Sequence, residues 1–493
     1  MSITVNHQTN AITASSGQVT LNGFAPGVVT ATASGSITTG KPVVANSDGT
    51  VSMVAVTPAG GGAAANYNAN TTVETTAVLD IPGTSTVVAA FRSSGDSQFG
   101  YAQVGTVSGS TITWGTKTQF NSAGYTGAYG ISMCYDTVNN KVIIVYKQDN
   151  SPGYGAAVVG TISGTSISFG TPVVFNSAST SMYDCCFDSA NGKVFISYNS
   201  SSGTGAYAII GTVSGTSISF GTAVQIHNVS TSPRPSCCYV ADIGKVLVSY
   251  ASWGVANYFI VGTISGTSVT FGSAIAYPGS LPGYGGSVLF YNPNTTYVVM
   301  EYSMSNAPGT SYAVVLDVVS DSSITVNTPT TITPGNGTWF FDSTNNRLIQ
   351  NTGSLYYYQV TDTTVGSVSS AITYATGMGT TQHPAGAFNV GSGRVVATVQ
   401  SFTLGSKGYG FSVTLTSTVN LTATNYIGVS AGTYSDTQTA TVLIAGSVSS
   451  DQSGLTAGSQ YYVQTDGTLS TTAGSPSVVA GTAVAATKLI VKG

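Results

Sequence analysis

Charge is what this sequence has least of. Only 6% of its 493 residues are Asp, Glu, Lys or Arg, against roughly a quarter in an ordinary globular domain. The thirteen Lys and Arg are scattered singly between Lys41 and Lys492. No basic stripe exists that could neutralise a phosphate backbone, so no nucleic acid is expected as a partner. No run approaches the ~20 consecutive apolar residues of a membrane helix, so no membrane insertion is expected. The opening "MSITVNHQTN" lacks both a basic n-region and an apolar h-region. That start predicts a product made and assembled in a cytoplasm. Helix formers are scarce too: Glu, Lys, Arg and Leu give way to Val, Ile, Thr and Tyr, which prefer strands. Low charge with few aromatics would mean disorder, but 42% hydrophobic content and 28 tyrosines supply ample apolar surface for a core. The expected class is all-β.

Metal and catalytic signatures are equally thin. The five cysteines, Cys134, Cys185, Cys186, Cys237 and Cys238, show no Cys-x-x-Cys or His-x-x-Cys spacing. Cys185 and Cys186 are neighbours on a strand and point to opposite faces, so they cannot share a metal. They read as small apolar core residues, and no metal or other cofactor is expected. His7, His227 and His383 stand alone. No His-Glu-x-x-His or phosphate loop is present, nor the Ser-x-Asp-x-Gly-x-Thr-Trp box of sialidases.

What is present is repetition. "VGTVSGSTITWGT" from Val104 recurs as "VVGTISGTSISFGTP" from Val158, "IGTVSGTSISFGT" from Ile210 and "VGTISGTSVTFGS" from Val261. A second phrase, a tight turn and then an apolar strand, is anchored at Thr86, Lys141, Lys193, Lys245, Tyr297, Arg347 and Arg394, with steps of 55, 52, 52, 52, 50 and 47. Asn-Asn, Asn-Gly and Ser-Gly in those turns tolerate the positive φ of hairpins. Each unit reads as four strands, for example "GISMCYD", "KVIIVY", "GAAVVGTISG" and "TSISFGTPVVF". Four antiparallel strands every fifty residues are the signature of a propeller blade. One blade cannot bury its two apolar faces alone, whereas a ring of blades can. Residues 69–421 are therefore expected to form a seven-bladed β-propeller. Within the repeated phrase, Trp114, Phe169, Phe220 and Phe271 read as wedges between blades.

The ends repeat each other as well. "ITTGKPVVANSDGTV" from Ile37 aligns without gaps to "LTAGSQYYVQTDGTL" from Leu455. Two small related β-modules are expected at 1–68 and 422–493, flanking the propeller and attaching it to something else.

Those last residues also carry a resemblance. "NYIGVS", "GLTAGSQYYVQTDGTLS" and "SVVAGTAVAATKLIVKG", which ends the chain, resemble a C-terminal module of virion structural proteins from tailed bacteriophages, cyanophages included. The match covers about seventy residues. It implies a particle component assembled in the host cytoplasm and exposed on the virion: a tail fibre, a tail-tip adhesin or a head decoration. Other virion proteins would be its partners, and a homo-oligomer its state. It carries no catalytic residues.

Six of the seventeen acids stand out. Asp136, Asp188, Asp242 and Asp342 recur at the turn before the second strand, where a carboxylate accepts local N–H bonds. Asp184 and Glu301 interrupt apolar strands near the opposite rim, in different blades. Glycoside cleavage needs a carboxylate pair about 5–10 Å apart, and no such pair is expected from acids in different blades. The chain therefore reads as non-enzymatic. Binding would fall to Gly- and Ser-rich loops that carry single aromatics: Tyr125, Tyr129, Tyr154, Trp253, Tyr284 and Tyr409. Such loops pair rigid contact area with adaptable hydrogen bonding. The expected role is host attachment through one rim, to a cell-surface glycan or protein. The alternatives are an architectural subunit, in which the same aromatics contact neighbouring subunits, and a glycan depolymerase.

Overall fold

The computed structural model describes residues 3–6, 11–14, 17–19, 27–57, 59–68, 72–121, 126–148, 153–200, 205–227, 235–252, 256–277, 287–303, 311–320, 323–333 and 337–492. All their regular structure is β, and no helix is long and apolar enough to cross a membrane. The chain divides into two compact units, Gly60–Leu415 and a second made of Met1–Ala59 with Thr416–Gly493.

In the larger unit, seven antiparallel sheets follow one another along the chain. Their first strands are Val73–Ile81, Thr126–Asp136, Thr180–Asp188, Ser236–Val240, Ser287–Tyr291, Thr338–Asp342 and Thr381–Asn389. Each sheet runs in simple order from first to fourth strand, and a short fifth strand pairs back onto the third. The first strands pack against one another in succession, and that of the seventh sheet packs against that of the first. This is the architecture of a β-propeller. Second strands such as "VIIVY" are covered on both faces: Val142 to Tyr146 are all fully buried.

The repeated phrase now has a physical reading. Its first glycine lies directly across the hairpin from its aromatic: Gly105 from Trp114, Gly160 from Phe169, Gly211 from Phe220 and Gly262 from Phe271. The ring lies over the glycine, and a Cβ on Gly160 would come 2.9 Å from Phe169 Cε1. The same ring leans on the preceding sheet, with centroids 5.9 Å apart for Phe169 and Phe120 and 5.7 Å for Phe220 and Phe175. These aromatics are therefore packing wedges, as the pattern indicated. The phrase's last glycine serves the opposite seam: a side chain on Gly115, Gly170 or Gly221 would overlap the carbonyl oxygen of Thr165, Thr216 or Thr267 in the next sheet's turn. Phe220→Ala is expected to cost about 2–3 kcal/mol, read by denaturant unfolding with an unchanged m-value.

Two features differ from the sequence reading. Asp136, Asp188 and Asp342 do hold their turns: Asp136 Oδ1 accepts the N–H groups of Val138 and Asn139, each at 2.9 Å, and Asp188 and Asp342 repeat the bonds. Asp242 does not share their position. Val240 stands opposite Lys245, where the others place the aspartate, and Asp242 follows two residues later within the turn. The second difference is the boundary. Residues 60–68, expected in the N-terminal module, form the outer strands Gly60–Gly61 and Ala65–Asn68 of the seventh sheet, paired to Lys407–Thr414.

The smaller unit contains the duplication in an unexpected form. One five-stranded sheet orders Val28–Thr32, Thr439–Leu443, Tyr426–Ser430, Pro42–Ala45 and Val51–Met53. The other orders Val448–Ser449, Lys488–Val491, Val478–Ala485, Gln460–Val463 and Leu469–Ser470. They share strand order and the register of their central strands. Val43 pairs with Gly428 as Tyr461 pairs with Gly481, and the same bulge then sets Val44 opposite Tyr426 and Tyr462 opposite Val479. Thr50 donates both its N–H and hydroxyl to Asp48, as Thr468 does to Asp466. The second copy is continuous. The first is split, its two halves separated in sequence by the whole larger unit. Val44, Tyr426 and Val429 of one sheet share a core with Tyr461, Val463 and Leu489 of the other.

Candidate functional site

Antiparallel pairing sets each sheet's second-to-third connection beside the start of its first strand and the end of its fifth. In the second sheet, Thr126 lies opposite Gln148, and Gly155 opposite both Lys147 and Asn176. This is the rim that the sequence nominated. Of its six aromatics, Tyr125, Trp253 and Tyr284 lie outside the described residues. Tyr129 lies on the strand Thr126–Asp136. Tyr154 is half-buried just before the third strand of the second sheet, its carbonyl accepting the Gln148 N–H at 2.8 Å. Tyr409 is half-buried on the third strand of the seventh sheet, opposite Val399 and Asn66. Tyr154 and Tyr409 thus stand two sheets apart and are not brought together.

A different set of aromatics is assembled at the same end. Tyr101, Tyr207, Tyr258 and Tyr312, near the start of their third strands, lie across from Phe91, Tyr198, Tyr250 and Tyr302. The paired rings stack, with centroids 6.2, 5.8, 5.6 and 5.4 Å apart and planes within 26°. The sequence reading missed them because they lie on strands rather than in loops. The available signal was the recurrence of Tyr 13 to 15 residues after an anchor, as in Lys193 to Tyr207 and Tyr297 to Tyr312.

What charge there is collects beside the first of these pairs. Arg92 pairs with Glu74 at 3.0 Å and Lys117 with Asp96 at 2.6 Å, the two ion pairs among the described residues. Lys117 Nζ lies 4.6 Å from the centre of the Tyr101 ring. Ser97 and Gln98, in the intervening connection, both adopt positive φ.

Asp184 and Glu301 take separate structural places. Asp184 ties three inner strands together: Oδ1 accepts the Ser132 hydroxyl at 2.9 Å, and Oδ2 accepts the Ser236 hydroxyl at 2.9 Å and the Cys237 N–H at 3.1 Å. Ser132, Asp184 and Ser236 are spaced by 52 residues, one sheet each. Burial raises the Asp184 carboxyl above its ordinary range, with these bonds opposing. Glu301, in the fifth sheet, takes hydrogen bonds from Ser311 and Trp339, and burial pushes it up to about 7. The two acids share no partner.

The cysteines are all free thiols. Cys134 and Cys185 face each other across one seam, and Cys186 and Cys237 across the next, as strand alternation requires. The Cys134–Cys185 contact and burial hold the Cys134 thiol well above its usual range, burial does the same for Cys186 and Cys238, and it pushes Cys237 up to about 11. None should react with Ellman's reagent within minutes in the folded protein, and all five should react after unfolding. Rapid reaction of any one in native protein would mean that a seam opens. Among the described residues no group of three His, Cys, Asp or Glu is placed to hold a metal ion.

No protein-family model matches the sequence, and no curated protein matches it. Among solved structures, the chain is similar to a protein from Lactobacillus plantarum, with 12% identity, a TM-score of 0.45, and coverage of 70% of this chain and 98% of that one. It is similar to the WD40 beta propeller domain of Doa1, with 12% identity, a TM-score of 0.44, and coverage of 71% and 96%. It is also similar to Trypanosoma rangeli sialidase, with 11% identity, a TM-score of 0.38, and coverage of 79% of this chain. The chain spans 60% of the sialidase's length. These likenesses concern the fold and not the chemistry.

Proposed function

We propose that the protein is a non-enzymatic component of a tailed-phage particle, exposed on the virion, that takes part in host attachment. In this reading residues 60–415 are a seven-bladed β-propeller carried on a duplicated β-module, and the rim of second-to-third connections is the contact surface. The observation that carries the reading is the resemblance of Asn425 to Gly493 to a virion-protein module. Two further features support it. The rim gathers half-buried aromatics with small polar neighbours, the composition of recognition surfaces. Asp136, Asp188 and Asp342 are committed to turns and Asp184 to a seam, and Asp184 and Glu301 share no partner. The module would join the protein to other virion proteins, as a homo-oligomer.

Cryo-electron microscopy of purified particles tests this. A propeller whose Tyr154 rim faces solvent on a tail appendage is the expected result. The same rim buried against capsid or tail subunits would make the protein architectural. Its absence from particles purified to constant composition would overturn the assignment.

A further inference from the structure

We infer that the outer face of the continuous sheet in the smaller unit, bearing Val448, Tyr462, Val479 and Ile490, is where two copies of the chain pair about a twofold axis. The inference rests on the homo-oligomer in the reading above and gives it a surface.

The duplicated registers match Val44 of the split sheet to Tyr462 of the continuous one, Tyr426 to Val479, Val429 to Thr482 and Leu443 to Ile490. In the split sheet these positions form the face that packs on the continuous sheet. Val44 and Val429 are fully buried there, and the Tyr426 hydroxyl donates to the Ala480 carbonyl at 3.4 Å. In the continuous sheet the same positions are only half-buried. Val448, directly across from Ile490, is 48% exposed. None of the four belongs to the core shared by the two sheets or to the core under the split sheet's other face. An antiparallel sheet face made for water alternates to polar side chains. This one keeps two valines, an isoleucine and a tyrosine beside Thr482 and Ser470.

The two ends of the stacked pair are finished differently. Beyond the split sheet, the connection between Tyr426–Ser430 and Thr439–Leu443 folds over as a cap: Tyr434 exchanges backbone bonds with Ile37 at 2.9 and 2.8 Å and joins the core of Val29, Val43 and Val442. The matching connection of the continuous sheet is a short turn between Val478–Ala485 and Lys488–Val491, which leaves that side open to the split sheet. The continuous sheet's outer face is then the one end of the stack that no connection caps among the described residues. Stacked repeats need capped ends, because an apolar end face recruits another layer.

That layer is a second copy of the chain. The face continues the internal interface, since its counterpart in the split sheet already packs on a sheet of this same module. In a second copy the other three sheet faces are taken, by the Tyr434 cap and by the internal interface. What remains is the same face, which pairs with itself about a twofold axis and closes the stack. Lys488 and Lys492, two residues to either side of Ile490, are exposed and keep their ammonium groups in water at the rim.

The test is sedimentation velocity of the full chain from about 2 to 200 µM, since a contact of one small sheet face calls for a micromolar dissociation constant. A monomer–dimer equilibrium that goes no further is expected. Val448→Lys with Thr482→Lys, which sets like charges against each other across the axis, should raise the dissociation constant at least about tenfold. Val138→Lys, at a valine 59% exposed in the larger unit, should leave it unchanged. Should the double variant not fold, Val448→Lys alone is expected to weaken pairing about threefold at unchanged melting temperature. A monomer throughout, a ladder of larger species, or pairing untouched by the lysines would overturn the inference. The particle experiment fails separately: a chain that pairs through this face but is absent from particles sinks only the assignment to the virion, and a monomeric chain found on particles sinks only this inference.

Discussion

Gly62→Ala is expected to open the propeller. Gly62 follows the strand Gly60–Gly61 that completes the seventh sheet, and its Cα faces the turn of the first sheet. A Cβ there would overlap the carbonyl oxygen of Ser110, as one on Gly115, Gly170 or Gly221 would overlap the turn of its own next sheet. The obstacle is backbone, which cannot rotate away. The closing segment must lift, and with it Tyr67, which packs 5.1 Å from Phe91 and 5.4 Å from Trp114 by ring centroids. Losing that aromatic seam adds to the clash, so a cost of at least about 3 kcal/mol is expected. Chemical denaturation reads it, and limited proteolysis should then cleave near residue 62. Gly366→Ala is the control: its Cβ would meet the Gln359 carbonyl oxygen at 3.2 Å, and a change within about 1 kcal/mol is expected. Equal effects for the two would mean that the ring does not depend on this closure.

Stability should fall as pH rises from about 4.5 to 7, and Glu301→Gln should flatten the fall. Glu301 is 5% exposed, and burial raises its carboxyl from 4.5 to about 7. Below pH 4.5 both states carry the proton and folding pays no charge penalty. Between 4.5 and 7 the unfolded chain releases its proton and the folded chain holds it, so stability is lost as pH rises. A shift of this size corresponds to roughly 3 kcal/mol, good only to order of magnitude. Glutamine stays neutral and can still accept from Ser311 and Trp339. The variant should therefore be more stable than the parent at pH 8 and nearly equal to it at pH 4. Asp80, raised to about 6 by burial, leaves a smaller residual slope of the same sign. Equal slopes in parent and variant would show that Glu301 is solvated in the folded protein.

Much of the propeller was legible because its pairings are local. Consecutive strands joined by Asn-Asn or Asn-Gly turns leave a period in the sequence, and the glycine opposite each aromatic leaves a second mark in the same hairpin. The duplicated Asp-Gly hairpins at Asp48 and Asp466 were readable for that reason, and their bonds match atom for atom. The candidate site was less legible. Loops rich in Gly, Ser and Tyr drew attention to Tyr154 and Tyr409, while the stacked tyrosines sit within strands and look like ordinary alternation until the cross-strand register is known.

The sequence by itself determined an all-β chain with a fifty-residue unit, wedge aromatics between sheets and carboxylates that cap turns. Only the tertiary structure decided that Gly61 pairs with Val413, that Val43 pairs with Gly428 although the whole larger unit separates them in sequence, and that Asp184 joins three inner strands. The physical reason is the same in each case. A hairpin's partners are chosen by turn geometry within a few residues, whereas partners hundreds of residues apart are chosen by which exposed edge and apolar face remain when every local choice has been made.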